Sequence, residues 1–196
     1  MAKKPTTLDP LDLWISGGFL TTTRTIYLGG EITQESADKV IRGILALESV
    51  DPHGEITLVM SSEGGEYYPA LALYDALRAT SCPTSIKVLG HAMSSAMVVL
   101  QGADRRLVSE NARLMIHDGV EGYDGQARNF ELWGEQAKRD RDTMYRILAA
   151  RSSKDAEWFR RNCTLDRFIA PTEALTLGLV DEIITKYEQP TTPDKA

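Results

Sequence analysis

The sequence predicts an α/β fold in which repeated β-α-β units build a mostly parallel sheet with helices on its faces. Short runs rich in β-branched and aromatic residues alternate along the chain with longer segments whose apolar residues recur at helical spacing. One of the short runs, Ile56-Thr-Leu-Val-Met60, is too apolar to leave a face in water, as a strand covered on both sides would be. Strand, helix, strand in regular alternation implies right-handed crossovers onto parallel strands.

The first 25 residues, with Pro5, Pro10, Gly17, Gly18 and Thr21-Thr-Thr23, read as an arm or irregular loop outside the core. Thr25-Ile-Tyr-Leu28 reads as a strand that Gly29-Gly30 stops. Thr33 can cap a helix carrying Ala37, Val40, Ile41, Ile44 and Leu47 on one side, and Asp51-Pro-His-Gly54 is a turn. After the strand Ile56–Met60, a second helix presents Ala70, Tyr74 and Leu77, with Pro69 tolerated in its first turn. Ser85-Ile-Lys-Val-Leu89 is a strand broken by Gly90, and Ser94 to Leu100 resumes as helix. Arg113-Leu-Met-Ile116 is a further apolar strand ending at His117. Gln126 to Ala150 forms a long charged helix and Asp155 to Arg161 a shorter one. Pro171 opens a last helix, Gly178 closes it, and Leu179 to Ile184 returns as strand. Residues 187–196 read as a solvated tail, which leaves 26–186 as the one folded domain.

At 196 residues the chain is about one domain with appendages. Its 42% hydrophobic and 26% charged residues are those of a soluble globular protein. The longest apolar runs, such as Ala96 to Leu100, are too short to span a bilayer, so no membrane association is expected. No apolar stretch of signal-peptide length follows the basic Met1-Ala-Lys-Lys-Pro5, which leads to an expected cytoplasmic location. Cys82 and Cys163 lack CxxC spacing, so neither a disulfide framework nor a metal site is expected. A net charge of −6 supplies no basic face for nucleic acid.

In open α/β sheets ligands bind beyond the carboxyl ends of the strands. At those ends lie Ser61-Ser-Glu-Gly-Gly65, Gly90-His-Ala-Met-Ser-Ser95 and His117-Asp-Gly119. A hydroxyl, an imidazole and glycines whose bare N–H groups can approach a ligand are the parts of an acyl-transfer site. Each part also has a plain structural reading. Ser94 can be an N-cap, Gly64-Gly65 a tight turn or weak anion nest, and His117 a satisfied buried imidazole. His91, close to Ser94 in sequence, is a rival base, and His53 sits in a surface turn. Neither composition nor periodicity selects the acid. Dinucleotide and P-loop signatures and HExxH are absent, and Ala92 and Ala96 stand where a G-x-S-x-G elbow has its glycines.

Five segments in order resemble the ClpP peptidase family, self-compartmentalised serine proteases of the crotonase-like fold. Ile26-Tyr-Leu-Gly-Gly-Glu31 is similar to the family's first strand and turn, and Ser62-Glu-Gly-Gly65 to its Ser-Pro-Gly-Gly loop. Gly90-His-Ala-Met-Ser94 resembles its nucleophile segment and Met115-Ile-His117 the segment that carries the base. Asp166-Arg-Phe168, with Ala170-Pro-Thr-Glu-Ala174 and Gly178-Leu-Val-Asp181, resembles the segment that carries the acid. The resemblance runs from about Ile26 to Ile184 and implies Ser94 as nucleophile, His117 as base and Asp166 as orienting acid. It implies the backbone N–H groups of Gly65 and Ser95 as oxyanion hole, and Gly64, Gly122 and Tyr123 as substrate-binding positions. A protruding handle helix within about 119–150, two stacked heptameric rings, no cofactor or metal, and peptide or unfolded-protein substrates follow from the same resemblance, as does an AAA+ unfoldase ATPase as a possible partner.

Three departures stand out. Glu63 replaces a proline, and a carboxylate near the Gly65 amide opposes a developing oxyanion unless it turns to solvent. Ser95-Ala96 replace Met-Gly, and the first 25 residues do not resemble the family's axial segment. Rival readings are a non-catalytic ring subunit and a crotonase-like acyl-CoA enzyme using the Gly-Gly amides. The complete Ser94, His117 and Asp166 set speaks against both.

Overall fold

Ile26, Leu28 and Ile32 of one strand, Leu58 and Met60 of the next, and Ile86 and Val88 of a third are all buried, and their period-two spacing lays one apolar face across the sheet. The computed structural model describes residues 19–119, 122 and 124–185. The strands are β1 (Phe19–Leu20), β2 (Thr25–Ile32), β3 (Ile56–Gly65), β4 (Thr84–Met93), β5 (Arg105–Ser109), β6 (Arg113–Ile116), β7 (Arg167–Ile169) and β8 (Glu182–Ile184). The helices are α1 (Gln34–Val50), α2 (Tyr67–Ala79), α3 (Ser95–Leu100), α4 (Phe130–Ala149), α5 (Ala156–Asn162) and α6 (Pro171–Leu177). β2, β3, β4, β5 and β8 run parallel in that order, and β1 adds an antiparallel edge to β2. The expected α/β architecture with a mostly parallel sheet is what the chain adopts.

Helix α1 starts where its cap predicts. The Thr33 hydroxyl accepts from the Ser36 N–H while Ser36 Oγ accepts from the Thr33 N–H, a reciprocal pair worth about 1 kcal/mol. Gly178, at φ 73°, closes α6 as the sequence suggests.

Elsewhere the glycines act differently from the expectation that they end strands. β2 continues through Gly29-Gly30 with a register shift between Gly29 and Glu31, and β3 continues past Met60 with a shift between Met60 and Ser62. β4 likewise runs through Gly90 to Met93. These glycines are bulges that bend paired strands instead of breaking them. Nor is β3 covered on both sides, since Thr57, Val59 and Ser61 are only half-buried and Glu63 is exposed. Phe19–Leu20 pairs with β2, within the stretch read as an arm; residues 1–18 and the tail from 186 lie outside the described residues. The long helix opens as a 3₁₀ turn at Ala127–Asn129 before α4, and the last strand is confined to Glu182–Ile184.

β5 and β7 carry no clear sequence signal. β5 contains Arg105-Arg106, and Arg106 is only 2% exposed. Its guanidinium meets both Asp181 carboxylate oxygens, at 2.6 and 3.0 Å, and donates to Gln101. Burial pushes the Asp181 carboxyl up, but hydrogen bonds from the Arg106 guanidinium and backbone N–H, with the charges of Arg106 and Arg151, hold it below its ordinary value. A depressed carboxyl stabilises the fold fully above its unfolded pKa of about 4, and that share is lost as pH falls through the lower folded value. Asp181→Ala strands a buried guanidinium and is expected to cost about 3 kcal/mol in urea unfolding at neutral pH. The difference from the unaltered chain should shrink as the pH falls below about 4.

Candidate active site

β4 is long enough to serve different partners along its length. Ser85 to Val88 pair with β5, whereas His91, Ala92 and Met93 pair in parallel with Arg113, Leu114 and Met115 of β6. β6 pairs antiparallel with β7 on its other side, and Ile116 lies opposite Arg167. The residues after β4, after β6 and before β7 are therefore neighbours. They are Ser94, His117 and Asp166.

Ser94 stands at the β4–α3 junction with φ 53° and ψ −127°, a conformation that costs a non-glycine residue about 1–3 kcal/mol. Its N–H is held by the Met115 carbonyl at 2.9 Å. Its side chain makes no capping bond to α3, and Oγ lies 2.7 Å from His117 Nε2. The plain capping reading of this serine is therefore not what the chain does. His117 Nδ1 is 3.1 Å from Asp166 Oδ1, which completes a continuous chain from carboxylate to hydroxyl. With the Nδ1 proton donated to Asp166, Nε2 is left to accept from Ser94. The imidazole is largely shielded, at 22% exposure, while the Asp166 carboxylate is 62% exposed.

His91 does not compete for Ser94. Its Nδ1 lies 3.4 Å from Ser61 Oγ and its Nε2 3.7 Å from the Glu63 carboxylate, which is itself half exposed. The charge of Glu63 thus faces an imidazole and water, conditions that weaken its repulsion of a developing anion.

A cleft of about 320 Å³ opens beside Ser94, lined among others by Gly65, Tyr67, Ser95, His117, Asp118 and Met144. Across His117 a second cavity, of about 510 Å³, reaches Cys163 and Asp166. The Ser95 hydroxyl donates to the Gly65 carbonyl at 3.1 Å, which ties the start of α3 to the end of β3. Gly64 and Gly65 have φ 94° and 148°. A Cβ on Gly64 would stand 2.6 Å from the Met93 carbonyl, and one on Gly65 would run into the Ile32 carbonyl. Gly64 is buried and Gly122 exposed, neither lines either cavity, and Tyr123 lies outside the described residues.

The sequence alone gives no role to Tyr67, Met144 and Asp118, which line the cleft: the first two lie on helices that carry no chemical motif, and Asp118 enters only as part of the strand-end segment His117-Asp-Gly119. Cys163 is fully buried, and burial together with the charge of Asp118 pushes its thiol up to about 12, which leaves it inert as a nucleophile. Among the described residues no group of three His, Cys, Asp or Glu side chains could hold a metal ion, and no helix is long and apolar enough to cross a membrane.

A family model described as Clp protease matches residues 15–187. The chain belongs to the Clp protease family. It is 33% identical over 172 residues to an ATP-dependent Clp protease proteolytic subunit of Deinococcus radiodurans, covering 87% of this chain and 84% of that protein. It is 32% identical over 164 residues to an ATP-dependent Clp protease proteolytic subunit 1 of Rhodococcus jostii strain RHA1, covering 82% and 74%. In this Clp protease family member, Gly64→Ala forces a methyl against the Met93 carbonyl, the Ser94 Cβ and the Ser95 backbone nitrogen. By shifting the hydroxyl it should slow any reaction of a fluorophosphonate at Ser94 at least about tenfold, because a displacement near 1 Å of a reacting atom costs that much or more. Labelling at the unaltered rate would mean that the β3 end does not set the serine.

Proposed function

We propose that this chain is a serine endopeptidase that hydrolyses peptide bonds of unfolded proteins or short peptides. The observation that carries this reading is the hydrogen-bonded chain from Asp166 through His117 to a serine held at positive φ beside an open cleft. In this reading Ser94 Oγ attacks the scissile carbonyl and its proton passes to His117 Nε2. Asp166 keeps the imidazole in the tautomer that can accept that proton and stabilises the imidazolium. The backbone N–H groups of Gly65 and Ser95 face the developing oxyanion, and glycine at 65 lets the amide approach without a Cβ. His117 then protonates the leaving amine, and water, activated by the same base, releases the acyl group from Ser94.

The chain is further proposed to work as part of a closed double ring. Phe130, Leu132 and Trp133 at the start of α4 remain 47 to 69% exposed, whereas Met144, Tyr145, Ile147 and Leu148 at its other end are buried. An exposed apolar surface on a protruding helix suits an isologous contact with its counterpart in an opposing ring. Enclosure would keep a general-purpose triad away from folded proteins. The named relatives are subunits of ATP-dependent proteases, which supports an AAA+ unfoldase as the partner that delivers unfolded chains.

A fluorophosphonate probe should form an adduct on Ser94, located by mass spectrometry of the digested protein. Ser94→Ala and His117→Ala should abolish it, and equal labelling of the Ser94→Ala variant at Ser95 would overturn the assignment. Asp166→Asn should lower kcat by up to about 10⁴. A loss below tenfold would give the orienting role to another group. Native mass spectrometry should find about 300 kDa, or about fourteen copies of the 21.7 kDa chain. Monomer or dimer alone at micromolar concentration rules out the ring.

A further inference from the structure

The paired part of β6 ends at Ile116, so the imidazole of His117 projects from a segment beyond the ladder. Asp118 and then Gly119, at φ 80°, follow it, and the glycine adds no stiffness of its own. Two bonds hold this segment. The Asp118 N–H donates to the Cys163 carbonyl at 2.7 Å, three residues before Asp166. The Asp118 carboxylate accepts from the Tyr145 hydroxyl of α4 at 2.5 Å.

Tyr145 is only 2% exposed, and the Arg160 guanidinium lies over its ring at 5.4 Å from the centroid. Arg160 is itself paired with Asp142 at 2.9 Å, one helical turn from Tyr145. Burial first, then the bond to Asp118 and its charge, push the phenol upward, so the hydroxyl remains a donor. By contrast, the partner assigned to the imidazole in the proposed triad, Asp166, has its carboxylate 62% in solvent. An exposed carboxylate has water as a competing partner and rotamer freedom to lose, so it is a soft clamp. The shielded bond beside it is the firmer one.

We propose that Asp118 and Tyr145 are positioning residues for the His117 imidazole, their hydrogen bond fixing the end of β6 against α4 so that Nε2 meets the Ser94 hydroxyl. This rests on the serine-peptidase reading. Neither side chain needs to exchange a proton with the substrate. Their effect is on geometry, and so falls on the chemical step more than on binding.

A double-mutant cycle on the full-length protein tests the bond, read by the rate of fluorophosphonate labelling at Ser94 and by kcat and KM on a peptide. Tyr145→Phe keeps the ring and removes the donor, and Asp118→Ala removes the acceptor. Each should lower labelling and kcat about tenfold, the scale of one shielded hydrogen bond, with KM moved less than about twofold. The double variant should be no slower than the slower single one, because both remove the same bond. Asp118→Asn, whose amide oxygen accepts the same hydroxyl, should recover much of the Asp118→Ala loss. Multiplying effects, a change confined to KM, or Asp118→Asn as slow as Asp118→Ala while Tyr145→Phe is unimpaired would each overturn the inference. Thermal unfolding accompanies each variant. If Asp118→Ala does not fold, slow Tyr145→Phe with faster Asp118→Asn supports the inference and the reverse order sinks it. Failure of the unaltered chain to label at Ser94 brings down the peptidase reading and this inference with it. Normal labelling of that chain with unchanged rates in the variants brings down the inference alone.

Discussion

Arg113–Ile116 has a partner to satisfy on each side, and the candidate site exists because both are satisfied at once. On one side β6 bonds in parallel to the last residues of β4, and on the other it bonds antiparallel to β7. A parallel pair brings the residues after two strands together, so Ser94 follows Met93 as His117 closely follows Met115. An antiparallel pair brings the residue after one strand beside the residue before the other, so His117 meets Asp166. A slip of one residue in either ladder would turn alternate side chains to the other face and separate the three groups. Leu114 and Ile116, almost fully buried, help pin that register, since their burial is lost if the strand shifts.

The strain at Ser94 is the local consequence of this arrangement. β4 must end, turn and start α3 within one residue, and no glycine is present to do it. Positive φ survives there because its surroundings leave no alternative. The N–H of Ser94 is bonded to Met115, its carbonyl accepts from the Met97 N–H, and every residue of α3 from Ser95 to Leu100 is buried. Relaxing the backbone would move a buried helix. The stiffness needed to aim the hydroxyl is supplied by apolar packing that takes no part in chemistry.

This division explains what the sequence revealed and what it concealed. Helix α1 was legible from Thr33 and the spacing of its apolar residues, and α6 from Pro171 and Gly178, because caps and periodicity are local signals. The strand ends were not, because Gly29, Gly30 and Gly90 look like terminators and only tertiary pairing shows them to be bulges. β5 was hidden by Arg106, whose burial depends on Asp181, a residue 75 positions away. At the site, residue types and family motifs singled out Ser94, His117 and Asp166, but spacing could not separate His117 from His91. The difference is one of partners. His91 turns to Ser61 and Glu63, and His117 turns to Ser94.

Helix α4 connects two regions that its sequence treats differently. Its 20 residues extend over about 30 Å at 1.5 Å each. Its last turns are rooted in the core by Met144, Ile147 and Leu148 and reach the His117 segment through Tyr145. Its first turns carry Leu132, 69% exposed, into solvent. A helix is stiff along its axis, so a neighbour seated on the exposed half would shift or steady the rooted half as one body. The rooted half adjoins the segment bearing the imidazole, whose 2.7 Å contact with Ser94 tolerates little displacement. Association through the exposed half and alignment of the serine and imidazole would then be energetically linked, because both draw on the placement of the same helix.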